Sequence, residues 1–509
     1  MKTKGKGEKI LNQPIFKKVP LVTAKGKVSE QIKVSVKTDV SCETVKNVIS
    51  VSCWADVYSV TVKDKNVEYK GKAVFFIAYE EENGDVKKCE KVCDFDGFIE
   101  SALIEEHGRV SVFVCPVKTE ADCTGLKLSA LSNLKIDAEI FTKTEYECLE
   151  CGDDIICDVK ENTFYISSGV KELIYPLTEE FTLSYKVCEV LGQKAQAVIT
   201  SVQCGVGAII VDGEVYLSAI LLQSPEKKDI IKENKVLPFR IEIECEEAMP
   251  SMRATCKIKV RALKTDVTVE EEKSNVSAVV TLKLEGEAFF ERTFGLSKDA
   301  FSKTEKIEIK KDVLTALYSL DSRTESKNLS LKGVNEEILT EYEPIGAFSE
   351  RVEIVSVEKA PEGLNVSGVL TASCLFRTPD NVIKNIKTEV PIETLLEINE
   401  DAEDFDINAI VKTANPKITA NGEFELTAEV VFTITPFGSQ KVGYVKEIVS
   451  LGEKPIEDCA LSVYIGVAGE DLFSLAKRLN ESPEELLRAN KDLTFPLTGE
   501  ERIVIYRQK

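Results

Sequence analysis

Period-two alternation of apolar residues runs through most of this chain and constrains its fold more than any other feature. Side chains along a β-strand point alternately to two faces, so alternation marks a strand with one buried face. The clearest instance places Leu128, Ala130, Leu134, Ile136, Ala138 and Ile140 on one side. A second groups Val276, Ala278, Val280, Leu282, Leu284 and Ala288, and a third Phe424, Leu426, Ala428, Val430, Phe432 and Ile434. The pattern predicts a mainly β fold up to about Leu461.

Setting Ala138, Gly286 and Ala428 in line gives a repeat of roughly 145 residues, too long for a solenoid and suited to a duplicated domain. A second set agrees: strands entered through Gly71, Gly213 and Gly368 are each followed by a turn-prone segment, namely Asn83-Gly84, Ser224-Pro225 and Thr378-Pro379-Asp380-Asn381. Three tandem β-rich, sandwich-like domains are expected, over residues 19–154, 155–311 and 312–452, after a flexible tail at 1–18. Periodicity lapses at Glu145 to Asp158 and at Ser297 to Lys311, which sets the first two boundaries. A linker at 453–460 then leads to a terminal module at 461–509. A short helix is expected before each domain's strands, with EEILTEY (336–342) as one instance.

A chain of 509 residues exceeds what one core supports. The net charge of -21, with no large basic block, argues against nucleic acid and anionic lipid as partners. The basic start, MKTKGKGEK, reads as a solvated tail. No apolar h-region follows it and no run is long enough to span a bilayer, so a cytoplasmic protein is expected. Fifteen cysteines are an odd number in a large chain, and Cys53, Cys115, Cys204 and Cys374 lie in apolar strand-like runs, which suits buried reduced thiols.

Beyond the linker the period becomes helical. Leu461 to Val467 reads as a strand, and Asp471 is placed to cap a helix carrying Leu472, Leu475, Ala476 and Leu479 on one face. Ser482, Pro483 and Glu485 give a second start signal with a capping box, followed by Leu486 and Leu487 as its buried residues and Asn490 at its exit. Gly499 turns into a last strand, Arg502 to Tyr506. This βααβ order, with Tyr464, Gly469, Leu472, Ala476, Leu486, Asn490 and Gly499 at matching positions, resembles the LysM family.

That resemblance implies a ligand groove between two loops, here Ala468, Gly469, Glu470, Asp471 and Leu472 on one side and Asn490, Leu493, Thr494, Phe495 and Pro496 on the other. The chain departs from sugar-binding members by carrying Asp471 where they have a hydroxyl residue, and by a turn at Gly499 one residue longer. A protein ligand is therefore favoured over a glycan. Several β-rich repeats ahead of one LysM module, with IKVSVKTDVSCETVKNVISVSCWADV (Ile32 to Val57) leading to the strand at Gly71, are similar to the SipL group of spore-coat morphogenesis proteins, whose repeats are called SPOCS domains. The resemblance implies a scaffold in the mother-cell cytoplasm at the forespore surface. Its LysM module would bind the coat basement-layer ATPase, stage IV sporulation protein A, and its repeats would serve self-association or other coat proteins. A peptidoglycan-binding cell-wall protein is the alternative.

Chemistry is sparse. His107 is the only histidine, in a Glu-Glu-His-Gly context that reads as a surface turn, so no catalytic triad is expected. Cys148-x-x-Cys151 with Cys157, and Cys89-x-x-x-Cys93, lack a second pair at zinc spacing. The acidic run Glu397 to Asp406 lacks the glycine and closing Glu of a calcium loop and reads as solvated. No phosphate-cradling glycine motif occurs. Trp54, the single tryptophan, reads as core packing, with an exposed anchor as the alternative. The expectation is a non-enzymatic adaptor with neither cofactor nor metal.

Overall fold

The computed structural model describes residues 15–39, 44–105, 108–152, 154–224, 229–333, 337–398, 402–419, 421–455 and 461–506. Among them the chain is mainly β, with every paired strand antiparallel. The first six strands are β1 (Ile15–Asp39), β2 (Val45–Lys63), β3 (Asn66–Glu81), β4 (Val86–Glu100), β5 (Arg109–Thr124) and β6 (Lys127–Glu150). They form two sheets, β1-β6-β5 and β2-β3-β4. The next six, β7 (Ile155–Leu183), β8 (Glu189–Cys204), β9 (Ala208–Ser224), β10 (Asp229–Glu244), β11 (Arg253–Glu270) and β12 (Lys273–Ser302), repeat that order as β7-β12-β11 and β8-β9-β10.

In the third group the opening strand is split. β13 (Glu305–Ser319) and β14 (Arg323–Gly333) pair in succession along β19 (Phe424–Glu453), with β18 (Asp404–Ile418) on its other side. The gap lies opposite Pro436, which has no N–H to give the ladder; its carbonyl accepts from the Leu320 N–H instead. β15 (Glu343–Ala360), β16 (Gly363–Arg377) and β17 (Ile383–Leu396) form the companion sheet. Within each group the apolar faces of the two sheets meet: Phe75 and Ile77 with Leu134 and Ile136, Val215 and Leu217 with Leu282 and Leu284, Leu370 and Phe376 with Val430 and Phe432.

Bulges fix the register at the same places in all three groups, and a bulge that shifts pairing by one residue exchanges the faces beyond it. One follows Val57, Ile199 and Ile354, which pair with Gly71, Gly213 and Gly368. A Cβ on Gly71 would lie 2.6 Å from the Asp56 carbonyl oxygen, and one on Gly368 would lie 2.5 Å from that of Glu353; at Gly213 it would overlap the Val198 carbonyl and the Phe239 ring. Glycine stands there because the bulged backbone leans in. A second bulge follows Pro116, Val260 and Val411, opposite Leu134, Leu282 and Val430, which are equal steps of 148 residues apart. This register pairs Ala138 and Gly286 with Ile434, not with Ala428, because the bulge anchors the alignment rather than the small side chain.

The three groups close on one another. Ile49, Ala78 and Val86 from the first meet Leu191, Ile220 and Ile230 from the second and Phe348, Leu375 and Ile383 from the third in one buried cluster. The extended ends of the long strands meet in another, formed by Val19, Cys148, Phe164, Leu296, Leu314 and Tyr444 among others. Ion pairs join each pair of groups: Arg261 to Asp56 (2.6 Å) and Arg109 to Glu287 (2.6 Å), Lys232 to Glu350 (2.6 Å), and Lys25 to Asp406 (3.0 Å).

Several expectations change. Residues 15–18, expected in the mobile tail, begin β1 and pair with Glu147 to Glu150, so strand pairing continues into the acidic run at Glu145. MKTKGKGEK (residues 1–9), the residues from there to 14, and His107 lie outside the described residues. No helix precedes the strands of any group among the described residues; Glu337 to Tyr342 form a turn closed by the Tyr342 N–H on the Leu339 carbonyl, since the chain is crossing between sheets there. Asp404 to Asp406 belong to β18 rather than to a solvated loop, and Asp406 is half-buried because Lys25 draws it in. Cys115 is exposed, although Cys204 and Cys374 are buried. No helix among the described residues is long and apolar enough to cross a membrane.

Candidate functional site

The terminal module runs β20 (Leu461–Ile465), α1 (Leu472–Leu479), α2 (Pro483–Ala489) and β21 (Arg502–Tyr506), with β20 and β21 paired. Both helices start at side-chain caps. Asp471 accepts from the Ser474 N–H at 2.7 Å, and Ser482 accepts from the Glu485 N–H at 3.2 Å. The expected capping box is only half made, because Lys303, just past the end of β12, draws the Glu485 carboxylate (2.6 Å) and the Ser482 N–H turns to Glu481 instead. Leu475, Ala476, Leu479, Leu486, Leu497, Ile503 and Ile505 are the core, while Leu487, expected inside, is exposed because one residue further along α2 turns its side chain by about 100° from that of Leu486, off the buried face.

This small core borrows from its neighbour. Phe301 of β12 is buried within it, edge-on to Phe473 with ring centres 5.6 Å apart. Lys303 pairs with the buried Glu481 at 2.7 Å, Lys477 with Asp299 at 2.7 Å, and the Asn480 side-chain amide donates to the Lys303 carbonyl at 2.9 Å. The module is thus docked on the end of β12.

The two loops expected to form a groove are brought side by side. The Gly469 N–H donates to the Leu497 carbonyl (2.8 Å), and the Leu497 N–H to the Glu470 carbonyl (2.9 Å). Most of their polar side chains are engaged internally. Glu470 takes both oxygens to Arg478 at 2.7 and 2.8 Å, which holds its carboxyl below the usual range. Asp471 is lowered by the Ser474 N–H it caps. Asn490 donates to the Leu486 and Val504 carbonyls and accepts from the Val504 N–H at 2.7 Å, tying α2 to β21. Leu472, Leu493 and Phe495 are half-buried, whereas Ala468, Thr494 and Pro496, the last after a cis peptide bond, are exposed. The longer turn at Gly499 is held by Glu501, pulled down to about 2 by accepting from the Thr498 and Gly499 N–H groups.

The opposite face of the two-stranded sheet is apolar and open. Leu461, Val463 and Ile465 are 53%, 59% and 57% exposed, and Tyr506, paired with Leu461, is 68% exposed.

A second locus lies where the three β groups face one another, around a cavity of about 470 Å³ lined mainly by β2, β8, β15, β5, β11 and β18, with single residues or short stretches of β1, β6, β16 and β17. Each of the six main strands lies at the margin of its own sheet. At its edge the Glu350 carboxylate lies between Lys232 (2.6 Å) and Lys194 (3.1 Å). Burial pushes the Glu350 carboxyl up, but the two ammonium groups outweigh it and hold it below its ordinary value. For Lys194 burial wins and lowers it. Sequence reasoning missed this locus; its one signal was charge inside the strand segments GQKAQAV and FSERVEI, 156 residues apart between Lys194 and Glu350.

The described cysteines are all unpaired. Burial pushes the Cys53, Cys256 and Cys374 thiols up to about 12 and Cys148 to about 11, so little nucleophilic thiolate forms there at neutral pH. Trp54 is half-buried and leans on the core of the second β group rather than its own. Compared with protein-family models, curated proteins and solved structures, the chain matches none.

Proposed function

We propose that this chain is a non-enzymatic adaptor in bacterial spore-coat assembly: three copies of one sandwich-like β-domain form a scaffold that presents a LysM-like module to the coat basement-layer ATPase. The observation that carries this reading is the contrast within the module. The carboxylates and the amide of its groove loops are spent on its own backbone and on Arg478, which leaves few groups to read sugar hydroxyls. Its outer sheet face instead offers Leu461, Val463, Ile465 and Tyr506 to solvent, a surface suited to an apolar protein contact with a polar surround. Docking on β12 fixes that face relative to the β-domains, so partner binding does not have to order a swinging module.

The test uses the full chain. Immobilised wild type is expected to retain the polymerised ATPase, and Val463→Glu with Ile465→Glu to lose at least ten-fold in retention at unchanged melting temperature. A fluorescent fusion is expected to form a ring at the forespore surface during sporulation. Co-sedimentation with purified peptidoglycan in place of ATPase retention would overturn the proposal in favour of cell-wall binding.

A further inference from the structure

On β2, β8 and β15 the residue three places ahead of the first bulge is Trp54, Gln196 and Arg351 respectively. Their neighbours Cys53 and Ala55, Ala195 and Ala197, and, after Arg351, Val352 pack into the core of their own β group, while Glu350 before Arg351 lies in the bulge that follows Phe348. By alternation the side chains at 54, 196 and 351 point the other way, out of each group and toward the shared cavity that all three line. Equivalent positions thus bring an indole, a carboxamide and a guanidinium to one place.

Arg351 is the exception in that cavity's charge pattern. Lys194 has Glu350, Lys259 has Asp56 (3.6 Å), Lys27 has Asp137 (3.2 Å) and Lys135 has Glu353 (3.7 Å). Among the described residues none of these carboxylates reaches Arg351; its Nη1 is shut away from water with no hydrogen-bond partner, and so are Gln196 Oε1 and Ser52 Oγ, of residues that line the same cavity. A guanidinium stays charged at any physiological pH, and although Arg351 is only half-buried, leaving one of its N–H groups out of water without an acceptor is costly. Seven lysine and arginine residues against four aspartate and glutamate line the cavity; Asp56 and Glu120, outside the lining, pair with Lys259 and with Lys118 and Lys387, so the excess of positive charge is small but stands inside a chain of net charge -21. A local field of that sign gathers anions. The volume, about 470 Å³, is that of a small-molecule site, and Lys118 and Lys387 at its rim are 50% and 39% exposed.

We infer that the cavity between the three β groups binds a flat-ringed organic anion, its carboxylate or phosphate paired with Arg351 and its ring against Trp54. A planar guanidinium matches either anion through two parallel hydrogen bonds. Gln196 and Ser52 supply the hydrogen-bonding groups that orient the ring's substituents. This site is independent of the terminal module, so either reading can fail without the other.

Trp54 is the only tryptophan, so its fluorescence reports on the cavity alone. Full-length protein is titrated with benzoate (ring and carboxylate), adenosine 5′-monophosphate (ring and phosphate), inorganic phosphate and benzylamine. A saturable change is expected with benzoate or the nucleotide, whichever anion the site prefers, at least ten-fold tighter than with phosphate and absent with benzylamine. Arg351→Gln is expected to weaken it at least ten-fold, and Arg351→Lys by less. Without ligand, Arg351→Gln is expected to melt at or above the wild-type temperature, because it removes an uncompensated charge. No saturable change with either ringed anion, an equal response to benzylamine, or unchanged affinity in Arg351→Gln at wild-type melting temperature would overturn the inference.

Discussion

Glu350 stands between Lys194 and Lys232 with its carboxylate almost wholly out of water, and it joins β15 to β8 and β10. Removing the one acid leaves two ammonium groups facing each other in a poorly solvated place. Glu350→Gln is therefore expected to destabilise the protein by about 3–5 kcal/mol, read from urea unfolding. The folded-state value of this carboxyl is lowered, so its contribution is complete above the ordinary carboxylate range and is lost as pH falls through the lowered value. The gap between wild type and Glu350→Gln should accordingly narrow below about pH 4. At this scale the sequence was partly legible: Asp471 and Ser482 announce themselves as caps by position alone, whereas Glu350 looks like any polar residue on the outer face of a strand.

Among the elements, bulges and caps are the devices that act locally. Gly71, Gly213 and Gly368 each sit where a bulged partner strand leans in, so alanine there must push back either a carbonyl or a ring. Each substitution is expected to cost about 1–3 kcal/mol, the range for overpacking a close-fitting site. Gly368→Ala should be the least forgiving, since the atoms it meets are all backbone. In the terminal module, Asp471→Ala removes the acceptor for the Ser474 N–H and is expected to cost about 1 kcal/mol, visible as a lower melting temperature of the module's helical signal. The glycines were legible as strand entries because nothing else in those runs breaks the alternation. Their function at the bulges was not, since a bulge depends on which strand lies opposite.

Across the whole molecule, the terminal module and the β groups share structure rather than sit in line. Phe301 belongs to β12 in sequence and to the module's core in space. Phe301→Ala is expected to weaken that junction by about 3–5 kcal/mol, and calorimetry should then show the module melting as a separate, earlier transition. By itself the sequence determined the antiparallel strands, their recurrence at long intervals, the glycine entries and the strand-helix-helix-strand order at the end, because each rests on periodicity or on contacts within a few residues. Only the tertiary structure decided what the polar faces of β2, β8 and β15 meet. Alternation specifies which face must leave water and says nothing of what the other face touches. Water would have satisfied Lys194 and Glu350 as well as they satisfy each other, and would have met the Arg351 N–H that no described residue meets inside; it is the closure of three β groups, through residues as distant in sequence as Ile49 and Ile383, that turns those faces inward on a common cavity.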